Sequence, residues 1–199
     1  LYVDLEHGPL TIDITGQICI AALAVGVTPF VRVPAIAPEF VGRVLDAGAL
    51  GIIAPHIHSA AQAQELVRMA RFPPLGTRSA AGHLPQFGFQ TYPAKIADPI
   101  LESATMIIPM IETLEALENV EAILAVPGVD MVLVGSNDLT AEMGIAGDFD
   151  HPKLLDAYKR IIAAARQQGK HVGIGGLAGR PDLTADFVKL GARYVSTGT

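Results

Sequence analysis

Short apolar runs alternate along this chain with longer segments in which apolar residues recur every three or four positions. The short runs are typical of buried strands, and they occupy residues 1–5, 29–33, 50–54, 105–111, 130–134, 171–175 and 194–196. The longer segments predict amphipathic helices, and they occupy residues 18–25, 38–47, 59–71, 114–124, 154–165 and 182–190. Such regular alternation predicts an α/β fold with a parallel sheet and helices outside it.

Two architectures fit seven strands that alternate with helices. A (β/α)₈ TIM barrel typically needs about 250 residues, whereas this chain has 199 and both begins and ends on a predicted strand. We therefore expect a TIM barrel whose first strand and last helix lie outside this chain, with residues 1–199 forming a single domain. An open sheet of seven strands also fits the pattern.

The alternation breaks between residues 72 and 97, where Pro, Gly and aromatic residues recur. This composition predicts a long ordered loop, and loops of that length in compact domains are usually functional. Arg78, in the turn PLGTRSAAG, is the residue of this segment that we expect to contact a substrate.

Composition and charge narrow the class of protein. The chain is 50% hydrophobic, which is ample for one core, and its net charge of −6 and pI near 5.4 argue against nucleic acid or an anionic membrane as partner. No apolar run reaches the roughly 20 residues needed to span a bilayer.

The single cysteine, Cys19, lies in an apolar run. It predicts a small buried residue in a cytoplasmic protein without disulfides.

Two carboxylates follow successive predicted strands, with one helix between them. Glu112 comes after the strand at 105–111, and Asp138 comes shortly after the strand at 130–134. The strands of such a βαβ crossover are parallel, so both residues are expected at the same side of the sheet. Paired carboxylates, with other positions left to water and substrate, are typical ligands of Mg²⁺ or Mn²⁺. The alternative is that both carboxylates only interact favourably with the dipoles of helices that begin near them.

An arginine and a histidine at other strand ends could act on a substrate. Arg32 lies in the apolar strand FVRVP, where a charge is costly unless paired. It could bind a substrate or form a salt bridge within the fold. His7, beside Asp4 and Glu6, could be a general base or only a turn residue. No lysine occurs at a predicted strand end, which disfavours a Schiff-base mechanism.

Two further motifs allow other interpretations. His56 and His58 form an H-x-H pair of the kind used by zinc hydrolase barrels, although Glu112, Asp138 and Gly175 stand where further His ligands would be needed. The glycines of GIGG at 173–176, with STGT at 196–199, could form a phosphate site. Close backbone approach to a small carboxylate would need glycine equally, and we expect Gly175 among the substrate contacts.

These motifs together resemble a known family. They occur in one order along nearly the whole chain: DLEHGPL, PFVRVP, VLDAGALGIIAPHI, RFPPLGTRSAAG, MIET and PGVDMVLVGSNDLTAEMG. The set is similar to the HpcH/HpaI aldolase/citrate lyase family, and most of all to its metal-dependent class II pyruvate aldolases.

The resemblance implies a carbon–carbon lyase that reversibly cleaves a 4-hydroxy-2-oxo acid to pyruvate and an aldehyde. The substrate would be a 2-keto-3-deoxy sugar acid or a 4-hydroxy-2-oxo-dioate from sugar acid or aromatic catabolism. The resemblance also implies Mg²⁺, Mn²⁺ or Co²⁺ as cofactor and a homo-oligomer, either a trimer or a hexamer.

The resemblance assigns roles to individual residues. Glu112 and Asp138 would bind the metal, and Asp138 would also lie against the substrate. His7 would accept a proton, and Arg32 would bind the pyruvyl carboxylate and stabilise the enolate. Asp46, in VLDAG, would raise the basicity of the active-site histidine across a subunit boundary.

Two positions depart from the family pattern. Asn137, which would give a backbone N–H to the substrate, stands where alanine is frequent. Met110 replaces an amide side chain, so one substrate hydrogen bond would be missing. Both departures bear on which substrate is used.

Three other functions compete with the aldolase. A CoA-thioester lyase like the citrate-lyase β chain would need a basic track for the CoA phosphates, and an acidic chain with 14 Lys and Arg residues shows none. A phosphate-binding TIM-barrel isomerase would use GIGG and STGT. A noncatalytic binding protein would leave the two acids without metal.

Overall fold

The computed structural model describes residues 1–197, an α/β fold in which strands and helices alternate. Its strands are β1 (Tyr2–Asp4), β2 (Phe30–Arg32), β3 (Gly51–Ala54), β4 (Met106–Ile111), β5 (Met131–Gly135), β6 (His171–Gly175) and β7 (Tyr194–Val195). Its helices are α1 (Ile12–Ala24), α2 (Pro38–Asp46), α3 (Ala60–Ala70), α4 (Ala94–Ala104), α5 (Leu114–Glu118), α6 (Val120–Leu124), α7 (Ser136–Glu142), α8 (Pro152–Gln167) and α9 (Pro181–Leu190). A short 3₁₀ turn covers Pro85–Phe87. No helix within residues 1–197 is both long and apolar enough to cross a membrane.

The chain divides into two compact units. The first comprises residues 1–55 and 64–107, and its strands β1, β2 and β3 pair in parallel in that order. The second comprises residues 56–63 and the described chain from 108, and β4, β5, β6 and β7 pair in parallel in that order. The predicted parallel pairing of strands is confirmed within each unit.

Strand register sets the neighbours at the carboxyl ends of the strands. In the first unit, Asp4 at the end of β1 pairs with Arg32 at the end of β2. In the second unit, Ile111 pairs with Val134, and Gly135 pairs with Gly175. Residues that follow these strands therefore emerge from adjacent positions.

The strands of the second unit are buried on both faces. Every residue of β5 is buried, and so are the last five of the six residues of β4. This burial explains their continuous apolar sequence, which is typical of a parallel sheet covered by helices. Helix α8 contributes the buried side chains Leu154, Tyr158 and Ile161 at helical spacing.

Sequence patterns missed two helices, α4 and α7, and placed or joined others incorrectly. Helix α1 begins at Ile12 rather than 18, since Thr11 Oγ1 accepts the backbone N–H of Ile14 and so caps the helix. Helix α4 begins within the segment predicted as loop; Pro99 lies inside it, and Ile96 and Ile100 are exposed, so its pattern does not indicate a buried face. The predicted helix at 114–124 is divided at Asn119.

Cys19 is buried, in agreement with its predicted place in the core. Burial raises the pKa of its thiol to about 11. Since the thiolate is the reactive form of cysteine, Cys19 is an inert part of the core.

A buried hydrogen bond links α8 to the first residue of α7. Ser136 Oγ and the Tyr158 hydroxyl are 2.8 Å apart, and both side chains are fully buried. The Tyr158 ring is stacked on Phe187, with ring centroids 3.8 Å apart. Burial raises the pKa of Tyr158 far above its ordinary value, so the hydroxyl keeps its proton.

Tyr158→Phe is expected to lower the free energy of unfolding by about 1–3 kcal/mol, because the Ser136 hydroxyl loses its buried partner. Urea unfolding of the single variants and of Tyr158→Phe/Ser136→Ala measures the effect. The double variant should lose less than the sum of the two single variants, since it removes both polar groups. Strictly additive losses would contradict a coupled pair.

Candidate active site

Arg32 is held at the end of β2 by two carboxylates of the first unit. Its Nε donates to Asp4 Oδ1 at 2.9 Å, its Nη2 pairs with Asp4 Oδ2, and its Nη1 lies 3.1 Å from Glu6 Oε2. The side chain of Arg32 is 13% exposed and that of Glu6 is 10% exposed. The salt bridge considered from sequence is therefore present, and it orients the guanidinium plane.

Burial and the neighbouring opposite charge shift the pKa values of Asp4 and Arg32 in opposite directions. Burial alone would raise the pKa of Asp4, but hydrogen bonds from Arg32 and from the backbone N–H of Glu6 outweigh it, and the pKa lies below its ordinary value. Burial alone would lower the pKa of Arg32, but the bond to Asp4 raises it on balance. Both groups are therefore charged at neutral pH.

The lowered pKa of Asp4 makes stability depend on pH. A carboxylate whose pKa is lower in the folded than in the unfolded chain stabilises the fold above the unfolded value, about 3.9, and loses that contribution as pH falls through the folded value. Asp4→Asn should lower the free energy of unfolding by about 1 kcal/mol at pH 7, allowing for solvent screening. In urea unfolding the difference from wild type should shrink below about pH 4. A difference that stays constant down to pH 2 would contradict this linkage.

His7 lies just beyond β1, and its imidazole is 66% exposed. Its Nε2 is 3.8 Å from Glu6 Oε2, and its backbone N–H points to Asp4 Oδ1 at 3.4 Å. The turn that holds Asp4 and Glu6 against Arg32 thus also presents an accessible imidazole. This arrangement fits a general base, while the role itself stays a prediction.

Asp46 and Arg78 form a second ion pair in the first unit. Arg78 Nη2 donates to Asp46 Oδ1 at 2.8 Å, and the Arg78 side chain is 3% exposed. Its guanidinium lies over the Phe72 ring, 4.7 Å from the centroid. The pair borders a cavity of about 310 Å³ that Arg43 and Arg68 also line. The role predicted for Asp46 across a subunit boundary stays a prediction.

Glu112 is enclosed at the end of β4 in the second unit. Its side chain is 5% exposed, and its Oε1 accepts the backbone N–H of His56 at 2.7 Å. On its other side is Gly135, where an added Cβ would lie 2.8 Å from Glu112 Cβ and 3.0 Å from Oε2. Glycine is thus required at 135 for Glu112 to occupy this place.

The other residues predicted for the substrate and metal lie at or beside the ends of β5 and β6. Asp138 is exposed in the first turn of α7, which begins directly after Gly135. The Asn137 side chain lies against Gly176, whose φ of +80° also favours glycine. The GIGG segment therefore contacts the turn that carries Asp138.

The donor set of this region fits a divalent metal. Glu112 is a buried carboxylate for which Gly135 leaves room, and Asp138, in the helix that follows, is a second carboxylate. Carboxylate oxygens are the kind of ligand that hard divalent ions take. Among residues 1–197 no three His, Cys, Asp or Glu side chains form a group that could hold a metal ion.

His56 is the residue whose role sequence reasoning missed. We weighed it with His58 as a zinc ligand, whereas its backbone holds Glu112, and His58 Nδ1 is bonded to Thr113 Oγ1 at 3.0 Å. The contact depends on the positive φ of His56, +58°. The types of residue along the chain do not predict this backbone conformation, so the sequence carries no signal for the role.

Comparison with known proteins decides the family. The model of the HpcH/HpaI aldolase/citrate lyase family matches residues 1–199. The chain belongs to this family. The resemblance seen in the sequence is thereby confirmed.

Named relatives in the HpcH/HpaI family are aldolases, which are carbon–carbon lyases. The chain is 44% identical over 198 residues to 4-hydroxy-4-methyl-2-oxoglutarate aldolase of Hapsidospora irregularis, covering 98% of this chain and 73% of the relative. It is 42% identical over 185 residues to the enzyme of that name from Chaetomium globosum, covering 92% and 69%. The crystal structure of an HpcH/HpaI aldolase from Desulfitobacterium hafniense superposes with a TM-score of 0.91 at 33% identity, covering 98% of this chain and 74% of that one.

Proposed function

We propose that this chain is a metal-dependent aldolase that reversibly cleaves a 4-hydroxy-2-oxo acid to pyruvate and an aldehyde or oxo acid. The observation that carries the proposal is Glu112, a buried carboxylate held at a strand end between His56 and Gly135. Carboxylate oxygens at a strand end are typical ligands of a hard divalent cation. We propose that such a cation binds at Glu112 beside Asp138.

The metal site belongs to the proposal. Glu112 and Asp138 would hold Mg²⁺, Mn²⁺ or Co²⁺, which when bound would act as a Lewis acid toward the oxygens of the substrate. The likeness to aldolases supports this site, because their substrates are small oxo acids with adjacent carboxylate and keto oxygens. Asn137 and Gly175, beside the same strand ends, would contact the substrate through the backbone.

Arg32 would bind the carboxylate of the pyruvyl part. All three guanidinium nitrogens face Asp4 or Glu6, but each Nη atom carries two N–H groups. The second N–H of each Nη atom would donate to the substrate carboxylate. Because Asp4 and Glu6 orient the guanidinium before the substrate binds, little side-chain entropy is lost on binding.

His7 would move the proton of the reaction. In the retro-aldol direction it takes the proton of the 4-hydroxyl group as the C3–C4 bond breaks, and the electron pair of that bond passes to the pyruvyl fragment. Since Nε2 faces Glu6, we assign the proton transfer to Nδ1. Asp46 would raise the basicity of this histidine from a neighbouring subunit.

Several properties are proposed with this function. They are a closed (β/α)₈ barrel, a single domain, a trimer or hexamer, a cytoplasmic location, and a part in sugar acid or aromatic catabolism. The parallel strands of each unit and the superposition on an HpcH/HpaI aldolase support the barrel. Aldehyde specificity would reside in the segment from Arg78 to Tyr92, since Arg78 borders the cavity of the first unit.

The substrate class is tested by measuring pyruvate release with Mn²⁺ present. The panel holds 4-hydroxy-4-methyl-2-oxoglutarate, a 4-hydroxy-2-oxo-dioate, a 2-keto-3-deoxy sugar acid and a citryl-type CoA thioester. We expect release from one or more of the first three, unaffected by millimolar phosphate. Turnover of the thioester alone would favour the citrate-lyase type, and inhibition by phosphate competing with substrate would favour the phosphate-binding interpretation.

A further inference from the structure

Within the second unit, side-chain hydrogen bonds hold the short segment 56–63 against residues that follow β4. His58 Nδ1 lies 3.0 Å from Thr113 Oγ1, and Asn119 Nδ2 donates to the His58 carbonyl at 2.8 Å. The backbone N–H of His58 donates to Gln62 Oε1 at 2.7 Å. The backbone next to His56 is therefore held against the end of β4, where Glu112 begins the following turn.

His56 has a backbone conformation that is unfavourable for a side chain. Its φ is +58°, and with His83 and Phe89 it makes up the non-glycine residues of positive φ within 1–197. The left-handed conformation is unfavourable for a non-glycine residue, and it persists only where the surroundings impose it. At His56 this conformation directs the N–H to Glu112 Oε1, at 2.7 Å.

The two oxygens of Glu112 consequently have different neighbours. Oε1 accepts from the His56 backbone, whereas Oε2 lies toward Gly135, the residue from which α7 and Asp138 follow. A carboxylate that ligates a metal is usually oriented by such an outer hydrogen bond, and removing the bond typically costs 10–100-fold in metal affinity.

We propose that His56 is a positioning residue for the metal ligand Glu112, and that it acts through its backbone N–H rather than its imidazole. The left-handed backbone fixes Oε1 and so would orient the Glu112 carboxylate for the cation. This inference rests on the proposed function. The imidazole, 65% exposed and with Nδ1 3.4 Å from Oε1, is dispensable for the positioning.

The test compares substitutions that keep or disfavour the left-handed backbone, using Mn²⁺ affinity measured by electron paramagnetic resonance. His56→Gly keeps the N–H in an unstrained conformation, so its affinity should stay within about twofold of wild type. His56→Val, with a β-branched side chain that resists positive φ, should bind Mn²⁺ about 10–100-fold more weakly. His83→Val is the matched control: residue 83 has φ +56° but lies in the first unit, and its affinity should equal that of wild type.

Each outcome separates this inference from the proposed metal site. If wild type binds no Mn²⁺, or if Glu112→Gln binds it as tightly, the metal site itself is wrong. If wild type binds and His56→Val matches it, or if His56→Gly is as weak as His56→Val, the backbone role is overturned. Should His56→Val not fold, hydrogen exchange decides: the His56 amide should exchange slowly in wild type and much faster in Glu112→Ala, and equal rates would overturn the inference.

Discussion

Glu112→Gln is expected to lower kcat for pyruvate release by about 10³-fold or more, since metal catalysis of this kind contributes several kcal/mol. Glutamine has nearly the same shape, and its amide oxygen can still accept the N–H of His56, which Glu112 Oε1 accepts at 2.7 Å. The substitution therefore removes one negative charge with little change in packing. Steady-state kinetics at saturating Mn²⁺, with circular dichroism as a check of folding, measures the loss.

Glu115→Gln is the matched control for this variant. Glu115 lies three positions further along the chain, in the first turn of α5, and is exposed. The change of charge is the same, so a general electrostatic effect would lower both rates alike. We expect Glu115→Gln to keep wild-type kcat, and a Glu112→Gln enzyme of comparable activity would contradict the role of Glu112.

Arg32→Lys is expected to lower kcat/KM by about 10²–10³-fold while the net charge is unchanged. Lysine cannot reproduce the paired contacts that Nε and Nη2 make with Asp4, nor offer a planar fork to a substrate carboxylate. Bonds of this charge-assisted kind are worth about 1.5–3 kcal/mol each. Initial rates over a range of substrate concentration separate the effect on kcat from the effect on KM.

Arg160→Lys provides the control for geometry. Arg160 also makes a two-point contact with a carboxylate, its Nε and Nη2 lying 2.9 Å from the two oxygens of Glu121, but the pair is on the surface. Because surface pairs contribute about 0–1 kcal/mol, activity and stability should change little. Equal losses in both variants would mean that Arg32 acts only through the fold.

Apolar sequence patterns predict best those strands and helices whose residues all have similar surroundings, or that bury one continuous face. All of β5 and all but the first residue of β4 are buried, so a continuous apolar run is sufficient to indicate these strands. Helix α8 shows one buried face, and its spacing gave its position to within two residues. Helix α4 violates the same rule, because Ile96 and Ile100 are exposed and Pro99 lies inside it.

The candidate active site could be predicted as residues but not as contacts. Alternation of strands and helices placed Glu112 and Asp138 after successive strands, and the structure has them there. The parallel register of β1 and β2 explains why Asp4 pairs with Arg32. From the sequence, a salt bridge was one of two alternatives for Arg32, and substrate binding was the other. The contact of His56 with Glu112 joins residues 56 positions apart through a backbone group, which side-chain identity does not encode.

The most direct test of the account is pyruvate release from 4-hydroxy-4-methyl-2-oxoglutarate by protein stripped with EDTA, measured as Mn²⁺ or Mg²⁺ is added back. We predict no release from the stripped protein, recovery that saturates with metal, and no recovery for Glu112→Gln at the same concentrations. Full activity in the stripped protein, or equal recovery in Glu112→Gln, would contradict a metal-dependent aldolase built on Glu112 and Asp138.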